Sequence, residues 1–181
     1  MATLSEDSPQ GGIRRGNIVI FLTVGTYPLP FDRLIEAVDI LKHKNVIVDE
    51  IFAQIGHSNY TPKYFTYARM MEKEAFDESL AAASALIGHA GMGTITLALE
   101  YMKPLLIMPR LKRYGEHVND HQLGTARKFE ELGHVLSAYK VEELSGKINE
   151  LKFFIPAPRV SQAAQVADRI KFFLKECTGE K

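Results

Sequence analysis

The chain has 181 residues, 46% of them apolar, with 22 basic and 22 acidic side chains. This length suits one α/β domain with a sizeable core and is short for two; with the charges cancelling, nothing in the global charge argues for a nucleic-acid partner or an anionic membrane surface. The lone cysteine, Cys177, excludes an internal disulfide and suits a reducing compartment, with the cytoplasm as the default.

Residues 1–16 (MATLSEDSPQGGIRRG) lack the apolar centre of a secretory signal and read as a polar leader or cloning remnant. The domain is expected over 17–176, with a short tail at 177–181. No apolar run approaches the roughly 20 residues of a membrane-spanning helix. From Ile18 onward, short apolar β-rich runs alternate with amphipathic stretches. Ile18–Thr23 reads as the first strand, and Phe31, Leu34, Ile35, Val38 and Leu41 have helical spacing over 31–43. A second strand is expected at Glu50–Ile55, ending at Gly56, then a polar, aromatic loop with a short strand near Thr66–Met70. A helix near Phe76–Ala83, a strand at Ser84–Gly88, a helix at Gly93–Met102 and a strand at Leu105–Met108 follow. The remaining elements are a helix at Val118–Leu132, a strand at His134–Ser137 and helices at Val141–Leu151 and Gln162–Lys175, with Pro156 and Pro158 marking the bend between these last two. Six strands with intervening helices predict a Rossmann-like, doubly wound parallel sheet with ligands at the C-terminal strand ends.

Three clusters fall at that rim. In Thr23-Val24-Gly25-Thr26, glycine lets backbone amides approach a ligand and the threonine hydroxyl can meet an oxyanion; an N-capped turn accounts for the same residues equally well. The turn Gly88-His89-Ala90-Gly91-Met92-Gly93-Thr94 suits a diphosphate, because small residues open the helix N-terminus, whose unpaired amides and dipole favour negative charge. The third, Arg110 to Gln122, includes Glu116, His117, Asn119 and Asp120, whose carboxylates, amides and imidazoles suit sugar hydroxyls, with Arg110, Lys112 and Arg113 as candidates for phosphate or an acidic partner. A solvated polar loop is the competing account of that cluster.

Two cofactor chemistries are disfavoured. The order G-x-x-G-x-G replaces G-x-G-x-x-G, it lies past the first β-α unit, and no acidic residue follows at the next strand end to hold a ribose, which weakens a nicotinamide-nucleotide reading. His117 and His121 stand four apart beside Glu116 and Asp120, but no third ligand announces itself and no Asp-x-Asp element is present. No fixed metal or cofactor is expected.

With TVGT, GHAGMGT, KPLLIMPR and EHVNDHQ in this order, the chain from about Ile18 to Lys175 resembles the C-terminal, donor-binding domain of family 28 glycosyltransferases, which include the peptidoglycan lipid II-forming N-acetylglucosaminyltransferase. It is most similar to the stand-alone subunits: the small catalytic subunit of the eukaryotic dolichol-linked N-acetylglucosaminyltransferase and the soluble subunits of paired bacterial exopolysaccharide transferases. The basic LKRYGEHVNDHQ run favours the latter. The resemblance implies half of a GT-B enzyme that binds a UDP-sugar and works by inversion, without a fixed metal. A membrane-associated partner would hold the lipid-linked acceptor and supply the general base, placing this chain at the cytoplasmic face of the membrane. It further implies that Gly25 and Thr26 face the phosphates, that Gly91, Met92, Gly93 and Thr94 cap the diphosphate, and that Asp120 and Gln122 face the sugar. His89 would lie at the mouth of the crevice, where it is also a candidate base or a hydrogen-bonded structural residue. The ribose-binding glutamate of the peptidoglycan enzyme aligns with Leu97 here, with Glu100 one turn later, leaving the ribose contact unassigned. The competing functions are a non-catalytic enhancer subunit and an NAD(P)-binding oxidoreductase domain. Self-association through the surface meant for the missing half is a further expectation.

Overall fold

The computed structural model describes residues 19–159 and 163–178. Predicted features at residues 1–18, at Gln162 and at 179–181 lie outside the described residues. Six strands, β1 (Val19–Thr23), β2 (Glu50–Gln54), β3 (Thr66–Ala68), β4 (Ala85–His89), β5 (Leu105–Met108) and β6 (Leu136–Ser137), form one sheet in the order β3-β2-β1-β4-β5-β6. Every strand pair is parallel. The α-helices among the described residues are α1 (Asp32–His43), α2 (Lys73–Ala82), α3 (Met92–Glu100), α4 (His121–Glu131), α5 (Leu144–Leu151) and α6 (Ala163–Thr178). This is the doubly wound, Rossmann-like architecture expected from the alternation of the sequence.

β1 is buried along its whole length because it lies centrally with helices on both faces, which is why it reads as a continuous apolar run. On one face Leu22, Leu34, Val38, Ile51 and Ile148 pack together, drawing in α1 and α5. On the other Phe21, Leu80, Leu86, Ile95 and Ala126 hold α2, α3 and α4. At roughly 2 kcal/mol for each fully buried large aliphatic side chain, these two layers account for most of the drive to fold.

The segment between β2 and β3, read from the sequence as a loop, is fastened by two carboxylates of α1. Asp39, 1% exposed, accepts from the Tyr60 hydroxyl (2.8 Å) and from the Lys63 and Tyr64 amides. Asp32 accepts from the amides of Asn59 and Tyr60. Burial together with the Asp39 contact pushes the Tyr60 phenol up to about 12.

Several boundaries move by a few residues for local reasons. α2 begins at Lys73, ahead of the first apolar residue that signals it. α4 begins at His121 instead of Val118, because Asn119 and Asp120 spend their side-chain oxygens on the amides of His121 (3.2 Å) and Lys112 (2.7 Å), a turn chemistry that competes with helix. The expected helix from Val141 opens with a 3-10 turn over Val141–Glu143, where the Glu143 carboxylate accepts from Tyr139 N (2.7 Å). α6 continues to Thr178, past the predicted start of the tail at Cys177.

Candidate functional site

In this strand order the chain turns to opposite sides of the sheet after β1 and after β4, so a crevice opens between their C-terminal ends. Thr23 is in register with Gly88, which brings the two glycine-containing junctions side by side. The Thr23 hydroxyl accepts from the Gly25 amide (3.2 Å) and shapes the first turn.

Between the turns stands the His89 ring. Gly25 has φ +73°, and a methyl group there would sit 2.7 Å from His89 Cε1; at Gly91 it would sit 2.1 Å from His89 Nε2. Both positions therefore need glycine for the imidazole to fit, and the ring edge carrying Nε2 lies where the two turns converge. Burial, reinforced by the Arg110 guanidinium and opposed by the Thr23 backbone, lowers the His89 pKa from 6.5 to about 4, so the ring is neutral at neutral pH. Its Nδ1 is buried with no hydrogen-bond partner among the described residues.

α3 begins at this crevice. Its N-cap is Gly91, no side chain caps it, and Met92 and Gly93 are exposed, so the first-turn amides face outward with the positive end of the helix dipole. Thr94 is buried (6%), and its methyl approaches Gly88, locking the first turn of α3 onto β4. Ala90 is 2% exposed and belongs to the core. Its side chain is therefore withdrawn from the ligand-facing set expected of it, because the turn that lifts Gly91 outward points the Ala90 methyl inward.

The Arg110–Gln122 cluster divides into a buried frame and an exposed rim. Arg110, expected to meet phosphate, is 0% exposed. Its Nη1 donates to the carbonyls of Leu29 (2.8 Å), Pro30 and Glu116, and its Nη2 to Val24 O (2.8 Å), so it clamps the loop after β1 to the end of β5. Burial pushes its pKa down to about 10, opposed by Glu116, and it remains a cation at neutral pH. Glu116, expected at the sugar, is 3% exposed; it pairs with Arg33 through both oxygens (2.8 Å each) and accepts from Leu111 N. Gln122 is buried too, its Oε1 accepting from Arg110 N (3.1 Å). These three side chains build the wall of the crevice: the Arg110 Nη atoms and the Glu116 carboxylate are engaged by backbone groups and by Arg33, whereas Gln122 commits its Oε1 alone.

His117, Asn119 and Asp120 remain on the rim. The His117 ring stacks on Tyr27 (centroids 4.4 Å, planes 10° apart) and meets the His121 ring edge-on at 4.6 Å. His121 opens α4 while His117 precedes it, so the two do not share a helix face as their spacing suggested. Among the described residues no group of three or more metal-ligating side chains comes together. Asp120 borders a groove of about 560 Å³ that continues between α4 and the end of β6, past Arg113, Arg127 and Tyr139. This groove adjoins the β1/β4 crevice without being part of it.

Residues 19–175 match the glycosyltransferase family 28 C-terminal domain. The chain belongs to this family. It is 30% identical over 125 residues to the human UDP-N-acetylglucosamine transferase subunit ALG13, a match covering 64% of this chain and 10% of that protein, and is similar to the mouse protein to the same degree. The chain thus corresponds to about a tenth of the length of these relatives. Among solved structures, the solution structure of an ALG13 superposes with TM-score 0.57 at 17% identity, covering 85% of this chain and 94% of that one. Acinetobacter baumannii MurG superposes with TM-score 0.54 at 20% identity, covering 77% of this chain and 42% of that one. At such identities these structures show a shared fold.

Sequence reasoning missed three residues around the crevice of this family 28 domain. Tyr27 lies in a proline-flanked loop with no periodicity to mark it. Arg33 sits on what reads as the solvated side of α1, yet it spans to Glu116, Pro109 O and the Tyr114 ring. Gln54, at the end of β2, is 2% exposed, and its Oε1 has no partner among the described residues. A polar residue following the apolar run Ile51–Ala53 was the available signal for it.

Proposed function

We propose that this chain is the donor-binding subunit of a two-component, inverting glycosyltransferase that moves a sugar from a UDP-sugar to a lipid-linked acceptor. The observation that carries the reading is the convergence, at the β1/β4 switch point, of two glycine turns around a neutral imidazole with an uncapped helix N-terminus beside them. Such an arrangement suits a diphosphate: backbone amides and a helix dipole stabilise its charge, and the family membership makes it the diphosphate of a sugar nucleotide. The sugar would extend toward Asp120 and the rim histidines.

In the reaction an acceptor oxygen attacks the anomeric carbon, the bond from that carbon to the phosphate oxygen breaks, and UDP leaves with the bonding electrons. The first turn of α3 stabilises the charge that collects on UDP. His89, with its pKa near 4, is a weak base at neutral pH and is better suited to a hydrogen bond with the departing phosphate. The acceptor proton therefore goes to a base on the partner. Exposed Phe153 and Ile155, with Ile170, Phe172 and Phe173 of α6, supply apolar surface for such a partner, or for self-association when it is missing. No helix among the described residues is long and apolar enough to cross a membrane. The basic loop at Lys112 and Arg113 favours exopolysaccharide assembly as the setting.

Calorimetric titration with UDP, UDP-sugars and NAD(P), with and without magnesium, tests this reading. Saturable, magnesium-independent UDP binding is expected. Binding of NAD(P) in its place would overturn it, and binding of neither would favour an enhancer subunit.

A further inference from the structure

Gln54 closes β2 in register with Thr23 of β1, which is itself in register with Gly88 of β4. Two residues earlier, Phe52 packs on the sheet face that carries α2 and α3, so the strand alternation puts the Gln54 side chain on that face as well. It therefore shares with the α3 N-terminus both a face and the C-terminal edge of the sheet. Two strand spacings, about 10 Å, separate β2 from β4, a span that a nucleotide covers when its diphosphate rests on α3.

The amide of Gln54 is almost fully buried and poorly served. Its Oε1 has no hydrogen-bond partner among the described residues, and its Nε2 reaches only the Met70 thioether at 3.9 Å. Leaving a buried carbonyl unpaired is costly, and an apolar residue of the same shape would remove that cost. Met70, which covers the amide from the β3–α2 connection, is 45% exposed and is an unbranched side chain able to swing aside.

We infer that Gln54 is the nucleobase-reading residue of the donor site and that Met70 is its cover. Displacing Met70 exposes an amide that presents an acceptor and a donor side by side. Oε1 accepts from the N3–H of uracil, and Nε2, released from sulfur, donates to the adjacent ring carbonyl. This rests on the UDP-sugar reading above and names the contact that selects the base.

The test compares UDP, N3-methyl-UDP and inorganic pyrophosphate on the wild-type chain and on Gln54→Met, with thermal unfolding of both. Wild type is expected to bind UDP about tenfold or more tightly than N3-methyl-UDP, since the methyl group leaves Oε1 buried without its partner. Gln54→Met should bind the two nucleotides equally, keep the wild-type affinity for pyrophosphate, and unfold at the same or a higher temperature. Equal binding of UDP and N3-methyl-UDP by wild type would overturn the assignment without any variant. Retained discrimination in Gln54→Met would do the same, as would a lowered unfolding temperature with loss of pyrophosphate binding. Wild type that binds neither UDP nor pyrophosphate would remove the donor reading itself and this inference with it.

Discussion

The two outer glycines of the α3 turn offer a paired perturbation with opposite structural consequences. At Gly93 an added side chain meets nothing within 4 Å, whereas at Gly91 it meets the His89 ring at 2.1 Å. Gly93→Asp places a carboxylate at the second position of α3, where the helix dipole favours it by about 0.3–1 kcal/mol, and it replaces a helical glycine with a residue whose helix propensity is better by only about 0.2 kcal/mol. The fold should therefore be slightly stabilised. The same carboxylate stands where the diphosphate is proposed to bind. At about 5 Å and an effective dielectric near 20, each unit of phosphate charge is repelled by about 3 kcal/mol, enough to weaken UDP more than about 100-fold. Gly91→Asp is the less informative variant, because any side chain there expels the imidazole at a cost of about 1–3 kcal/mol, mixing a folding defect with a binding one. Calorimetry and thermal unfolding of Gly93→Asp together give the answer. A variant that unfolds at or above the wild-type temperature and binds UDP with wild-type affinity would refute the placement of the diphosphate on α3.

Arg110→Met should destabilise the domain by about 3 kcal/mol or more, measured by urea unfolding, because four carbonyls lose their donor and Arg110→Lys cannot restore the fork. Tyr60→Phe should cost about 1–2 kcal/mol by the same assay, since it takes one donor from the buried Asp39 carboxylate. The His89 pKa of about 4 against 6.5 unfolded means the unfolded chain takes up the proton first as pH falls. Its contribution is full above pH 6.5 and is lost toward pH 4, amounting to about 3 kcal/mol in all. Urea unfolding at a series of pH values should show this slope diminished in His89→Gln; an unchanged slope would place the titration elsewhere.

The strands and the rim were legible in the sequence because burial on both faces forces continuous apolar runs, as in Val19–Thr23 and Leu105–Met108, and because glycines cluster where the backbone must come close to something. The GHAGMGT turn was legible for that reason, although part of what its glycines accommodate is the neighbouring His89 ring. What stayed hidden depends on contacts distant in the chain. Arg110 looks like a phosphate ligand until the loop at 24–30 folds over it, and Glu116 looks like a sugar ligand until Arg33, 83 residues away, arrives. Composition marks such residues as polar without saying whether their partner is a ligand or the backbone. Gln54 is the reverse case, a residue read as part of a strand whose Oε1 proves to lack a partner among the described residues.

The most direct test of the donor-site account is UDP titration of the isotopically labelled chain followed by backbone amide resonances. The largest shifts are expected at Gly25, Met92, Gly93 and Thr94, which flank the β1/β4 crevice. Shifts confined to the groove beside Arg113 and Arg127, or none at saturating UDP, would contradict it.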